Sequence, residues 1–227
     1  AQALANVAGN KTPVILAGIT NPSGAGLIKT DKHPGANITG TSGESPLKKQ
    51  LALLKAVMPN AKTVGIIYTS SDHGGTYNAK KFAALCKKEG INYKLYTISG
   101  TNDMQQVAEQ MVSQVDAVYA PQDNEVASAM KTLVEVANTS KIPVFAAADT
   151  MVKDGGIASY AISQYKLGKV AGEMAAQVLR GRKTKNFPVE YVTKGEYVIN
   201  TKEAKLLGIT LPDDIVKQAQ NKGEVFK

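Results

Sequence analysis

The chain has 227 residues, of which 43% are hydrophobic and 20% are charged, a composition that suits a packed globular protein and excludes a disordered chain or a collagen-like repeat. This length allows one large α/β domain or two lobes of about 100 residues each. The formal net charge of +8 comes almost entirely from lysine, which lacks the planar guanidinium that binds guanine or phosphate in bidentate fashion, so the charge favours a solvated surface over a nucleic-acid partner.

Apolar runs of strand length alternate with stretches of helical spacing along most of the chain. The runs predict buried strands at residues 14–19, 64–68, 93–98, 117–120, 144–147 and 157–162. Stripes at helical spacing predict the connecting helices: Leu47, Leu51 and Leu54; Met104, Ala108 and Met111; and one stripe of Val126, Met130, Leu133 and Ala137. This alternation predicts βαβ units with right-handed crossovers and a parallel sheet covered on both faces.

Residues 62–148 predict a complete doubly wound lobe of four strands. The flanking segments are expected to form a second lobe together: a helix at 1–7, the strand at 14–19, a Gly-, Pro- and Ser-rich passage at 21–45, the strand at 157–162 and the helix after it. They supply fewer strands than a parallel lobe needs, so we expect an N-terminal stretch of roughly 60 residues, about two βαβ units, to be missing. Residues 187–192 and 197–200 predict extended segments, followed by short helices around Ala204 and Ile215.

The sequence has no convincing motif for metal binding, nucleotide binding or nucleophilic catalysis. The single cysteine, Cys86, lies on the apolar stripe of a predicted helix, which favours a buried and inert thiol. His33 and His73 have no metal-binding spacing, and Lys29 stands where a dinucleotide fingerprint beginning at residues 23–26 would have its third glycine. We therefore expect no metal site, no cofactor and no enzyme activity, although carboxylates at the ends of different strands leave a catalytic pair open.

Small polar residues follow the predicted strands. In doubly wound sheets, ligands bind beyond the carboxyl ends of the strands, where loops run into helix N-termini with unpaired N–H groups. Hydroxyl, amide and carboxylate groups together suit a small polar ligand whose carboxylate accepts hydrogen bonds and whose ammonium meets an aspartate. A role as helix cap or turn competes at each position. The candidate residues are Thr20, Asn21, Ser70, Ser71, Gln122, Asp123, Asn124, Asp149, Thr150 and Ser163.

Longer stretches of the sequence match a known family pattern. They include Thr20-Asn21-Pro22-x-Gly24-Ala25-Gly26-Leu27, Pro34-Gly35-x-Asn37-Ile38-Thr39-Gly40, Asp116-Ala117-Val118-Tyr119-x-Pro121-x-Asp123-Asn124 and Tyr165-x-Leu167-Gly168. In these stretches, and almost end to end, the chain resembles the ABC-transporter substrate-binding family that includes tryptophan- and tyrosine-type binding lipoproteins. Ser163 departs from the pattern, since family members more often have aspartate there.

The resemblance implies an α/β fold of the type I periplasmic-binding-protein class, with two doubly wound parallel-sheet lobes joined by three crossovers. Lobe 1 would comprise residues 1–45 and 160–192 and be incomplete at its N-terminus, and lobe 2 would comprise residues 46–159 and 193–227. The implied function is that of an extracytoplasmic receptor, tethered as a lipoprotein by an anchor outside this chain. It would close two lobes on an amino-acid-like ligand and deliver it to a membrane permease; whether the ligand is aromatic is not fixed.

Within that fold, we expect Ser70 and Ser71 to bind the ligand carboxylate, and Asp123 or Asp149 to bind its ammonium. The orienting groups would be Asn21, Gln122 and Asn124. An aromatic ligand would stack on a tyrosine such as Tyr160 or Tyr165, although packing is the commoner role for both.

Two other functions remain open from the sequence. The same fold occurs in the effector domains of lactose-repressor-type transcription regulators, which would require a helix-turn-helix ahead of residue 1. A small-molecule enzyme on the same type of sheet is the third alternative, and turnover of a substrate would distinguish it from a receptor.

Overall fold

Strands and helices alternate through the computed structural model, which describes residues 1–227. The helices are α1 Gln2–Ala8, α2 Leu47–Val57, α3 His73–Lys88, α4 Met104–Val112, α5 Asn124–Ser128, α6 Met130–Thr139, α7 Asp149–Lys153, α8 Gln164–Leu179, α9 Thr201–Leu207 and α10 Asp213–Lys222. The strands are β1 Val14–Leu16, β2 Ile38–Ser42, β3 Thr63–Thr69, β4 Asn92–Ile98, β5 Ala117–Ala120, β6 Val144–Ala146, β7 Ala158–Ala161, β8 Glu190–Tyr191, β9 Glu196–Asn200 and β10 Glu224–Phe226.

Contacts divide the chain into two units. Unit 1 comprises Ala1–Glu44 and Ile162–Lys194, and unit 2 comprises Ser45–Ala161 and Gly195–Lys227. Unit 1 contains a three-stranded parallel sheet in the order β1-β2-β8. Unit 2 contains a seven-stranded sheet in the order β10-β9-β7-β6-β5-β3-β4, in which only the β7–β9 pair is antiparallel. The predicted α/β class with mainly parallel sheets is therefore confirmed.

The seven-stranded sheet is covered on both faces, which explains why its central strands are continuous apolar runs. Successive residues of β3 alternate between the two cores: Ile66 belongs to one and Ile67 to the other. Helices α2, α3, α9 and α10 cover the first core, which includes Leu54 and Phe82. Helices α4 to α7 cover the second core, which is rich in methionine.

The strand predicted at residues 157–162 is β7, and its predicted membership in the flanking lobe is wrong. It pairs with β6 in parallel and with β9 in antiparallel orientation, so it belongs to the sheet of unit 2. The single helix predicted from Val126 to Ala137 is also wrong. Its apolar stripe is continuous, but the backbone leaves helical geometry at Ala129 (φ −103°, ψ 16°) and divides it into α5 and α6.

Two strands lie where the sequence predicted none. β2 falls within the Gly-, Pro- and Ser-rich passage, and all five of its residues are buried. Gly40 in this strand has φ +147°, and a Cβ there would lie 2.2 Å from the carbonyl oxygen of Leu16 on β1. A side chain at this position would therefore separate the two strands. The other unpredicted strand is β10, which pairs with β9.

Cys86 is fully buried in the first core of unit 2, as predicted. Burial raises the pKa of its thiol from 9.0 to about 11, so the thiolate is strongly disfavoured. Among the helices of residues 1–227, none has the length and apolar character that crossing a lipid bilayer requires.

Candidate functional site

The carboxyl ends of β3, β5 and β6 lie side by side at one edge of the sheet in unit 2. Ile66 pairs with Tyr119, and Ala120 pairs with Ala146, so the three strands end at nearly the same level. Seven of the predicted site residues follow these strands directly and are therefore brought to one edge. They are Ser70, Ser71, Gln122, Asp123, Asn124, Asp149 and Thr150.

Asp123 is buried at this edge, and both of its carboxylate oxygens accept hydrogen bonds within the protein. The Thr69 N–H donates to Oδ2 at 2.7 Å, and the Thr69 hydroxyl donates to Oδ1 at 2.7 Å. Oδ1 also accepts from the N–H groups of Glu125 and Val126 at 3.1 Å each, which makes Asp123 the N-cap of α5. A carboxylate offers about four acceptor positions. Four hydrogen bonds are accepted here, three at Oδ1 and one at Oδ2, so this side chain joins β3 to the start of α5.

The first turn of α3 packs directly against the Asp123 carboxylate. A Cβ at Gly75 would lie 2.2 Å from Asp123 Oδ2, so only glycine fits beside it. Asp72, the N-cap of α3, accepts a hydrogen bond from the Gly75 N–H at 2.6 Å. Sequence reasoning missed Thr69 and Gly75, because the atoms that give them a role belong to Asp123, far along the chain.

Asp149 has a different environment from Asp123. It is the first residue of α7 and is partly exposed. Its Oδ1 accepts a hydrogen bond from the Thr150 N–H at 2.8 Å, while no hydrogen bond is formed at Oδ2. Thr150 is itself exposed. Of the two aspartates considered for an ammonium group, Asp149 is thus the one with acceptor capacity that the fold leaves unused.

The remaining polar residues of this edge are more accessible. Ser70 is held by its backbone N–H, which donates to the Ile98 carbonyl at 3.0 Å. The side chains of Ser70, Ser71 and Asn124 are exposed, and Gln122 is partly exposed. The edge therefore presents hydroxyl and amide groups beside the partly exposed carboxylates of Asp72 and Asp149.

A buried polar pair that the sequence analysis missed supports this edge from below. The Tyr119 hydroxyl donates to Gln50 Oε1 at 2.6 Å. The Gln50 amide in turn donates to the carbonyls of Ala147 at 3.2 Å and Tyr160 at 3.1 Å. Burial raises the pKa of Tyr119 far above its ordinary value. Ala147 lies two residues before Asp149, so Gln50 fixes the backbone that leads into α7. The sequence did contain a sign of this pair, because Gln50 is a polar residue among the apolar residues that α2 buries.

The two candidate tyrosines differ in their surroundings. Tyr160 packs within unit 2, where its ring makes an edge contact with Tyr197 at 5.0 Å between centroids. A Cβ at Gly195 would lie 2.6 Å from the Tyr160 ring. Tyr165 in unit 1 is 79% exposed.

Three predicted site residues lie in unit 1. Asn21 has a positive φ of 50°, and its Oδ1 accepts a hydrogen bond from the Gly24 N–H at 3.1 Å, which forms a turn after β1. Thr20 precedes it and is partly exposed. Ser163 is the N-cap of α8, where its hydroxyl accepts from the Lys166 N–H at 3.3 Å. Nowhere in residues 1–227 do three His, Cys, Asp or Glu side chains converge as a metal site requires.

Comparisons with known proteins agree with this architecture. Residues 1–222 match the family described as ABC transporter substrate binding protein. A tyrosine-binding protein from Clostridioides difficile (strain R20291) is 34% identical over 195 residues, which are 86% of this chain and 56% of the relative. The chain thus spans little more than half the length of that relative.

Solved structures give the same picture. The ABC domain in complex with L-Trp from Streptococcus pneumonia is 40% identical, with a TM-score of 0.93 over 97% of this chain and 74% of that one. A LacI family transcriptional regulator from Arthrobacter sp. FB24 is 15% identical, with a TM-score of 0.58 over 82% of this chain and 74% of that one. At that identity the second match concerns the fold alone.

Proposed function

Because the chain belongs to the ABC transporter substrate-binding protein family, we propose that it is a non-catalytic receptor that binds an amino acid outside the cytoplasm and delivers it to a membrane permease. The match over residues 1–222 is the observation that supports this proposal most strongly. Reversible binding needs only positioned hydrogen-bond groups. The edge of unit 2 offers such groups, including the Asp149 carboxylate, which has an unused acceptor oxygen.

An aromatic amino acid is the ligand class that we favour. The relative from Clostridioides difficile is named for tyrosine, and the structure from Streptococcus pneumonia contains L-Trp. Both similarities extend over most of this chain. A lipoprotein anchor and hinge closure on the ligand stay predictions.

We assign the ligand ammonium to Asp149 and the ligand carboxylate to the hydroxyls of Ser70 and Ser71. Asp149 is preferred to Asp123 because Asp123 already accepts four hydrogen bonds from the protein. A charge-assisted hydrogen bond to an ammonium is stronger than a neutral one, so Asp149 would supply much of the affinity.

The other candidate residues would orient the ligand rather than carry its charges. In unit 2 these residues are Gln122, Asn124 and Thr150, whose side chains are exposed or partly exposed. Asp123 would act as a positioning residue through Thr69. In unit 1 the predicted ligand contacts of Thr20, Asn21 and Ser163 stay predictions.

Calorimetric titration of the protein with single amino acids tests the proposal. We expect heat of binding, and a higher melting temperature, with L-tyrosine or L-tryptophan, because a ligand that binds only the folded state stabilises it. L-Alanine and glycine serve as comparisons without a ring. If none of the amino acids gives heat or a thermal shift, the amino-acid assignment is wrong.

Replacing the assigned carboxylate tests the site itself. We expect Asp149→Ala to weaken binding of the amino acid about 10- to 100-fold, the loss of one charge-assisted hydrogen bond. Asp154→Ala is the matched control, because Asp154 is an exposed aspartate at the other end of α7. An affinity equal to that of the unmodified protein would remove Asp149 from the site.

A further inference from the structure

Charge is distributed unequally over the two faces of the seven-stranded sheet. Helices α2 and α3, on one face, contain seven lysines and no acidic residue, whereas α9 and α10 on the same face contain four lysines and three acidic residues. Helices α4 to α7, on the opposite face, contain four acidic residues and two lysines. We call the first set the lysine face; its residues are Lys48, Lys49, Lys55, Lys80, Lys81, Lys87 and Lys88. Positive charge within unit 2 is therefore concentrated here, because the whole unit has 17 basic and 15 acidic residues whereas these two helices contain lysines alone.

The outer surface of these two helices is also unusual in composition. Every exposed residue of α2 is lysine or alanine, and α3 adds only His73 at its first position. Opposite charges are scarce: Lys55 forms an ion pair with Glu89 at 2.8 Å, and Lys81 lies over the Tyr77 ring at 4.3 Å. The face thus combines high positive charge with short apolar side chains between the lysines.

A groove of about 450 Å³ runs between α2 and α3 within this face. Three of its lining residues are apolar, Leu51, Ala52 and Leu85, and the others are Lys48, Lys88 and the Lys55–Glu89 pair. Ammonium groups beside apolar side chains suit an occupant that has anionic groups attached to an apolar body.

We propose that the lysine face binds the surface of a bilayer that contains anionic phospholipids. The headgroup phosphates would meet the ammonium groups of the lysines, and the groove would accept part of a lipid. Each lysine near an anionic membrane contributes roughly fivefold in binding, so several together give useful affinity without a rigid site. The proposal is independent of amino-acid binding, which concerns the edge of the sheet at the carboxyl ends of β3, β5 and β6.

The residue types favour a membrane over other acidic partners. Lysine and alanine are both depleted at protein–protein interfaces, which prefer tyrosine, tryptophan and arginine. Nucleic acids are recognised best by arginine, because its planar fork matches phosphate and guanine. Neither of the two arginines of the chain, Arg180 and Arg182, lies on this face. Lysine, a flexible point charge, suits a fluid anionic surface.

Sedimentation with lipid vesicles tests the proposal. The protein is mixed with vesicles of phosphatidylglycerol and phosphatidylcholine, and separately with vesicles of phosphatidylcholine alone. We expect binding only to the anionic vesicles, and a marked decrease at high salt because screening weakens exposed charges. The double variant K48Q/K88Q should bind about 25-fold more weakly, from roughly fivefold per lysine.

The matched control is K131Q/K153Q, in which two exposed lysines on the opposite face are replaced. Both variants lower the net charge from +8 by two, to +6, so a difference between them reports position rather than total charge. Equal weakening by the two variants would overturn the proposal. So would absence of binding to anionic vesicles, or binding to duplex DNA at a salt concentration where vesicles are not bound.

Discussion

Replacement of Asp123 by alanine should destabilise unit 2 strongly, whatever its effect on ligand binding. The change removes the N-cap of α5, which typically costs about 1 kcal/mol. It also leaves the Thr69 N–H without an acceptor in a buried position, which costs about 1–3 kcal/mol. The Thr69 hydroxyl can rotate and is expected to add little. The free energy of unfolding should therefore fall by about 3 kcal/mol, a large part of the stability of an ordinary domain.

Urea denaturation followed by far-ultraviolet circular dichroism measures this loss, because the chain has no tryptophan for fluorescence. Asn124→Ala is the control: Asn124 is exposed in the same turn, and its replacement should change stability by less than about 0.5 kcal/mol. Asp123→Asn should lie between the two, since the amide keeps one acceptor oxygen but turns an NH₂ group toward the Thr69 N–H. A loss below about 1 kcal/mol for Asp123→Ala, combined with loss of amino-acid binding, would refute the scaffold role.

Three further outcomes are expected. Gly75→Ala should lower the free energy of unfolding by at least about 2 kcal/mol in urea denaturation, because its Cβ would lie 2.2 Å from a carboxylate oxygen; an unchanged midpoint would contradict this. Gly172→Ala in α8 should instead raise stability by about 0.5–1 kcal/mol, since nothing lies within 4 Å of its Cβ position. Cys86 should react with maleimide far more slowly in the folded protein than in urea. Because its folded pKa is raised from 9.0 to about 11, the protonated thiol contributes stability that is complete below pH 9 and is lost as the pH rises through 11.

The sequence was sufficient for the central strands because their environment is uniform. Strands β3, β5 and β6 are buried on both faces, so each is a continuous apolar run that local pattern identifies. The helices between them have a single buried face, and the spacing of their leucines and methionines follows it. The same reasoning identified Cys86 as buried, because it shares its stripe with Phe82.

Local sequence pattern could not identify β2, because the residues that bury this strand and bond its polar side chains are distant in the sequence. Thr39 donates its hydroxyl to the Phe187 carbonyl at 2.6 Å, and the Thr41 hydroxyl lies 3.4 Å from the Leu167 carbonyl. Threonine and glycine in a passage rich in turn residues predict a loop when those partners are unknown. The sequence assigned β7 to the wrong lobe for a related reason. Its antiparallel partner β9 begins at Glu196, after the chain has passed through α8.

The candidate site shows the same limit in its two aspartates. Asp123 and Asp149 both stand between a strand of the parallel sheet and a short helix, so the sequence treats them alike. They differ because Thr69, 54 residues before Asp123, donates two hydrogen bonds to it. An acceptor that is filled by the protein holds the edge together, and one that is left open is available to a ligand. Stability and affinity should therefore separate: Asp123→Ala should lose stability first, whereas Asp149→Ala should lose affinity with its melting temperature nearly unchanged.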